Sequence, residues 1–131
     1  IPVTEFEQTH PFLLHAKLGA YVAKAKYGVT DQEILSSITW HTTGKPDMTL
    51  LEKIVYIADY IEPKRDKAPN LAFVRKLAFQ DLDECMYEIL KDSLAYLEEN
   101  PKDVDTTTKE AFLYYKDLHI KRASQTEKEI N

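Results

Sequence analysis

The chain has 131 residues, 17 basic and 22 acidic side chains, a net charge of -5 and 44% hydrophobic residues. That length suits one domain able to bury about two-thirds of its unfolded surface, and the acidic balance argues against broad binding to the phosphate backbone of nucleic acid. No apolar run approaches the roughly 20 residues of a membrane helix, the amino end lacks a signal-peptide layout, and the lone Cys85 cannot pair within the chain, so the reading is a cytoplasmic protein that needs no disulfide.

Three glycines, six prolines and the absence of repeats or low-complexity tracts leave no internal linker. Residues 1–131 therefore read as a single domain, and the recurring pattern is helical. A first helix is predicted from about Leu13 to Tyr27, with Leu14, Leu18, Tyr21, Val22 and Ala25 on one face and Gly28 as its C-cap. Gly19 inside it lowers helix stability by about 1 kcal/mol, which close approach of another helix or of a ligand would explain.

Thr30 and Glu33 form a capping-box pattern for a second helix through Ile34, Leu35 and Ile38 to about Trp40. A break spans Thr42 to Asp47, where Gly44 and Pro46 end the periodicity. Thr49 and Glu52 then repeat the box before a third helix, whose residues Leu50, Leu51, Ile54, Val55, Ile57, Ala58 and Ile61 wrap it nearly all round. Such a helix is expected at the centre of the core, and Pro63 stops it.

From Asn70 a short helix carries Val74, Leu77 and Ala78. Asp81 and Glu84 open the next, which reaches about Glu98 with a seam of Leu82, Cys85, Met86, Ile89, Leu90, Leu94 and Leu97. That seam reads Cys85 as core rather than nucleophile. After Pro101 a last helix begins at about Thr107, with Glu110 as box partner, and the polar tail from Ser124 to Asn131 is expected to fray.

Three polar residues stand in apolar helical settings within 45 residues: His15, His41 and Asp59. Two imidazoles and a carboxylate suit a divalent metal ion. Each also has a plainer reading. His15 could be a hydrogen-bonded core histidine, and His41 could satisfy a helix dipole, although the Thr42, Thr43 and Gly44 turn after it can present amides and hydroxyls to an anion. Asp59 interrupts the apolar run Ile54 to Ile61, where an unpaired charge is costly, so it calls for a metal, an arginine or a histidine as partner. Arg65, six residues on, could fork a phosphate from the same cleft or be a solvated loop residue. His10 and His119 lack a ligand-like setting.

Together the runs His15-Ala16-Lys17-Leu18-Gly19-Ala20, Ile38-Thr39-Trp40-His41-Thr42-Thr43-Gly44-Lys45-Pro46 and Ile57-Ala58-Asp59-Tyr60-Ile61-Glu62-Pro63 resemble the YqeK-type branch of the HD-domain metal-dependent phosphohydrolases. The resemblance extends from about His10 to Leu118. It implies an all-α, HD-like bundle of about five to six helices that uses two divalent metal ions, usually iron, to cleave diadenosine tetraphosphate symmetrically into two ADP. By the same resemblance His15, His41 and Asp59 match three metal ligands. Leu13, Leu14 and Arg65 match positions lining the nucleotide, with Thr42, Thr43, Gly44 and Thr108 as weaker matches.

Two departures qualify the match. The family's His-Asp doublet and a further ligand histidine ahead of it have no counterpart, and the chain opens on Ile1 rather than methionine. The expectation is an amino-terminally incomplete domain with half of the metal site, weakly active alone, whose first and third helices expose apolar faces that self-association as a homodimer would cover. The family's His-Pro-x-Thr stretch is replaced by Asp105-Thr106-Thr107-Thr108. The rival readings are a catalytically silent helical binding or dimerisation module and an HD phosphohydrolase for another nucleotide.

Overall fold

The Thr4-x-x-Glu7 pattern starts the first helix of the computed structural model, which describes residues 2–130. Thr4 and Glu7 form a reciprocal capping box around α1 (Glu5–Thr9). A 3-10 turn, Pro11–Leu13, leads into α2 (Leu14–Ala25), followed by α3 (Gln32–Trp40), α4 (Leu50–Tyr60), α5 (Leu71–Ala78), α6 (Leu82–Leu97) and α7 (Thr106–Ile130). There is no strand among the described residues. The helix beyond the expected six is α1, five residues long and too short for a periodicity to show, although its capping box is visible in the sequence.

Local chemistry sets the boundaries. The α2 helix ends at Ala25 with Lys26 rather than the expected Gly28 as its C-cap; Gly28, two residues on, takes a left-handed φ of 71° and turns the chain. The cap of α3 is Asp31 rather than Thr30: its carboxylate accepts from the Glu33 and Ile34 amides at 2.9 and 3.2 Å. The Thr49–Glu52 box forms as expected, and Glu52 is buried beneath it. Burial works against its charge, yet the Ser36 hydroxyl, the Thr49 amide and Lys45 hold its carboxyl below the ordinary value. Asp81 caps α6, while α7 begins one residue before the expected Thr107, with Asp105 accepting the Thr107 amide at 2.7 Å. The α7 helix continues through the polar stretch from Ser124 to Ile130; Asn131 lies outside the described residues.

The helices α2, α3 and α4 pack in succession, α4 meets α6, and α6 is flanked by α5 and α7. The core centres on α6, where Cys85, Met86, Ile89 and Leu90 are fully buried. The sequence placed α4 there, and this is a correction. That helix buries Glu52, Tyr56 and Ile57, whereas Leu50 and Ile54 remain 62% and 44% exposed. An all-round apolar helix buries only the sides that have neighbours, and the Leu50–Ile54–Ala58 stripe has none here. The Gly19 expectation holds in its helix-approach form: a Cβ there would lie 3.3 Å from Ile38 of α3.

Candidate functional site

His15 and His41 meet. The first-turn position of His15 on α2 and the C-cap position of His41 after α3 bring their Nε2 atoms to 3.2 Å, with the rings nearly perpendicular. Each Nδ1 faces a backbone carbonyl: that of Phe12 for His15 at 2.5 Å, that of Ile38 for His41 at 2.6 Å. A carbonyl only accepts, so each neutral ring keeps its proton on Nδ1 and leaves Nε2 bare. The Thr42 hydroxyl lies 3.3 Å from His15 Nε2, as a donor to an acceptor nitrogen.

Two bare lone pairs facing each other repel unless an electrophile lies between them. Nitrogens bound side by side on one ion at about 2.1 Å each would be about 3 Å apart, so the pair fits a shared divalent cation. Carbonyl contacts that fix the tautomer are also what metal-ligating histidines use.

Asp59 does not share the setting expected for it. It is exposed in the last turn of α4, because the apolar run it interrupts lies partly on the surface. Among the described residues no group of three or more His, Cys, Asp or Glu gathers closely enough to hold a metal ion. The structure therefore brings two of the three expected ligands together.

Beside the histidines lies a cleft of about 460 Å³, walled by Phe12 and Leu13 from the amino-terminal arm, Thr42 and Thr43 from the turn, Tyr56 and Tyr60 from α4, and Tyr96 from α6. Arg65 and Lys67 reach it from the loop after α4, and Asp92, Asp103 and Asp105 bring three carboxylates. Arg65 rests over the Tyr60 ring at 5.0 Å, a cation–π contact that orients a guanidinium. A second cleft of about 250 Å³ shares Leu13, Thr42, Thr43 and Asp105 and adds Trp40 and Lys17.

Of the expected nucleotide positions, Leu13, Thr42, Thr43, Arg65 and Thr108 border the larger cleft, whereas Leu14 and Gly44 border neither. Gly44 is buried at φ 72°, its missing Cβ within 3.5–3.7 Å of Tyr56, Ala111 and Leu90; it lets the turn pass over the core. Thr108 is buried and its hydroxyl donates to the Thr43 carbonyl at 3.0 Å, tying α7 to the turn. The sequence reading missed Tyr60, Lys67, Tyr96 and Asp103. A signal existed for Tyr96, an aromatic off the buried seam of α6. None existed for Asp103, which His10 reaches across 93 residues at 2.9 Å. That contact raises the His10 pKa above its ordinary value, helped by the Phe6 carbonyl.

Residues 1–64 match the family described as HD domain. The symmetrical bis(5'-nucleosyl)-tetraphosphatase of Bacillus subtilis (strain 168) is 47% identical over 88 residues, which are 67% of this chain and 47% of that protein. The protein of the same name from Staphylococcus aureus (strain NCTC 8325 / PS 47) is 37% identical over 105 residues, 79% of this chain and 54% of that one. A crystal structure described as a predicted HD superfamily hydrolase involved in NAD metabolism, from Clostridium acetobutylicum, superposes with a TM-score of 0.83 at 33% identity, covering 89% of this chain and 61% of the other. The chain spans about half the length of the curated relatives it matches.

Proposed function

Because the chain belongs to the HD-domain family, we propose that it forms part of a metal-dependent nucleotide phosphohydrolase that splits diadenosine tetraphosphate symmetrically into two molecules of ADP. The observation that carries this reading is the His15–His41 pair, two bare Nε2 atoms 3.2 Å apart beside a cleft with Arg65 and Lys67. The names of the relatives support the substrate.

The charges of the cleft support metal dependence. Two cations, Arg65 and Lys67, face three carboxylates, Asp92, Asp103 and Asp105. An anionic tetraphosphate is poorly matched to that wall without added cations. His15 and His41 would hold one ion, and Asp59 joins the set as a third ligand once the remaining ligands are supplied. Two bound divalent ions, iron in this proposal, would supply Lewis acidity towards the phosphoryl oxygens and activate water.

The other roles fall to side chains of this chain. Arg65, steadied on Tyr60, clamps phosphate oxygens, and Lys67 adds charge. Tyr96 offers a face for a base. Phe12 and Leu13 keep one wall dry, and Thr42 orients His15 through its hydroxyl.

Leu18, Tyr21 and Val22 of α2, Ile34 of α3 and Leu50 and Ile54 of α4 all stand exposed. Exposed apolar side chains on three successive helices support an added helical layer that brings further ligands, or a second copy, as their cover. We place the protein in the cytoplasm; no helix among the described residues is long and apolar enough to cross a membrane.

The test is ADP release from diadenosine tetraphosphate, reconstituted anaerobically with ferrous iron, by the 131-residue chain and by a version extended with the amino-terminal region of a relative. Robust release by the extended protein alone is expected. No release by either, with metal bound, would overturn the reading.

A further inference from the structure

We infer that Arg75 is the positioning residue of the phosphate-binding loop: from α5 it holds the backbone that presents Arg65 to the cleft. The inference rests on the nucleotide reading of that cleft.

Residues 61–70, between α4 and α5, contain no α-helix, yet they carry Arg65 and Lys67 into the cleft. An irregular segment of that length is mobile unless its backbone groups are tied down. Within its first half the ties are local: the Arg65 amide donates to the Glu62 carbonyl at 3.0 Å, and the Lys64 amide to the Glu62 carboxylate at 3.0 Å. Those contacts shape a turn but do not fix it to the protein.

The Arg75 guanidinium does. Its Nε donates to the Ile61 carbonyl at 3.2 Å, and one terminal nitrogen donates to the carbonyls of Glu62 and Arg65 at 3.0 and 2.8 Å. The Ile61 and Glu62 carbonyls lie just beyond the last turn of α4, and the Arg65 carbonyl lies three residues further along the loop. One planar fork therefore satisfies the end of α4 and the backbone of Arg65 itself. Arg75 is half-buried, so water competes poorly for the same carbonyls. At the loop's other end Asn70 reaches Asp92 of α6 at a longer 3.4 Å.

The geometry has a chemical consequence. The Arg65 carbonyl is fixed from α5 and its side chain rests on Tyr60 of α4, so both ends of this residue are oriented before a phosphate arrives. A lysine at position 75 could not reproduce the hold, because an ammonium is a point donor without the fork.

The experiment compares wild type, R65A, R75M, R75K and the double variant R65A/R75M of the full chain. ADP is the titrant in calorimetry, with a saturating divalent metal ion present, and hydrogen exchange is followed at the amides of residues 62 and 64–68. R75M is expected to weaken ADP binding roughly tenfold or more, and R75K by less. The double variant should bind no more weakly than R65A, since Arg75 acts through Arg65. Exchange in the loop should rise in both position-75 variants and stay unchanged in R65A. Should R75M not fold, R75K carries the comparison. Additive losses in the double variant, or unchanged ADP affinity in the position-75 variants, would overturn the inference. If wild type fails to bind ADP, the nucleotide reading fails, and the exchange data alone decide whether Arg75 holds the loop.

Discussion

Replacing Thr108 by valine tests whether this residue serves the site by contacting ligand or by holding the turn beside the histidines. Valine keeps the shape and removes the donor. The hydroxyl now donates to the Thr43 carbonyl at 3.0 Å from a buried position. A typical hydrogen bond contributes about 1 kcal/mol net, and a carbonyl left without its donor raises the cost to about 1–2 kcal/mol. For a domain of this size that lowers the melting temperature by roughly 3–8 °C. The adjacent Thr42 hydroxyl sits 3.3 Å from His15 Nε2, so a loosened turn also weakens metal binding at the pair. Thr108→Ser supplies the contrast: it removes one methyl, costing about 0.8 kcal/mol, but keeps the donor and with it the metal affinity. Urea unfolding and metal titration of both variants read the two effects separately. A valine variant within about 0.3 kcal/mol of wild type and with unchanged metal affinity would refute the turn-clamp assignment.

Three further outcomes are expected. Asp59→Ala should change stability by no more than about 0.5 kcal/mol, the usual range for a surface site, yet lower metal occupancy of the extended protein; the reverse pattern in unfolding and elemental analysis would mark Asp59 as a structural ion-pair partner. The His10 pKa is raised, chiefly by its hydrogen bond to Asp103, so the stabilisation by this pair is fully present below the unfolded histidine pKa of about 6.5 and is lost as pH rises through the higher folded value. The stability gap between wild type and His10→Gln, measured by thermal melts, should therefore close as pH rises above the unfolded value of about 6.5, and a gap that widened would contradict the sign. Burial, with Asp81 and Glu88 nearby, pushes the Cys85 thiol up to about 12, so iodoacetamide should label it only at the rate of unfolding; prompt labelling of the native chain would place it outside the core.

The helices were legible because their signals are local. The Thr49–Glu52 box and the Asp81 start each depend on residues within one turn, and the α6 seam repeats contacts three and four residues apart. Errors arose where neighbouring signals competed, as between Thr30 and Asp31, or where burial depends on what packs alongside. An apolar helix such as α4 reads as central from periodicity alone, yet its exposed stripe decides the setting of Asp59. Their apolar helical settings and the resemblance marked His15 and His41 as candidates, but their opposed Nε2 atoms and carbonyl-held Nδ1 atoms depend on how α2 packs on α3. The hold of Arg75 on the Arg65 carbonyl, and of His10 on Asp103, leaves no pattern in the chain.

The central claim is that His15 and His41 act as one ligand pair, and nitrogen-detected NMR of the four histidines during titration with zinc tests it directly. Both residues should begin as Nδ1–H tautomers, and their Nε2 signals should shift together at the same zinc concentration while those of His10 and His119 stay in place. Independent shifts of His15 and His41, or no shift of either at zinc levels that move His10 or His119, would contradict the account.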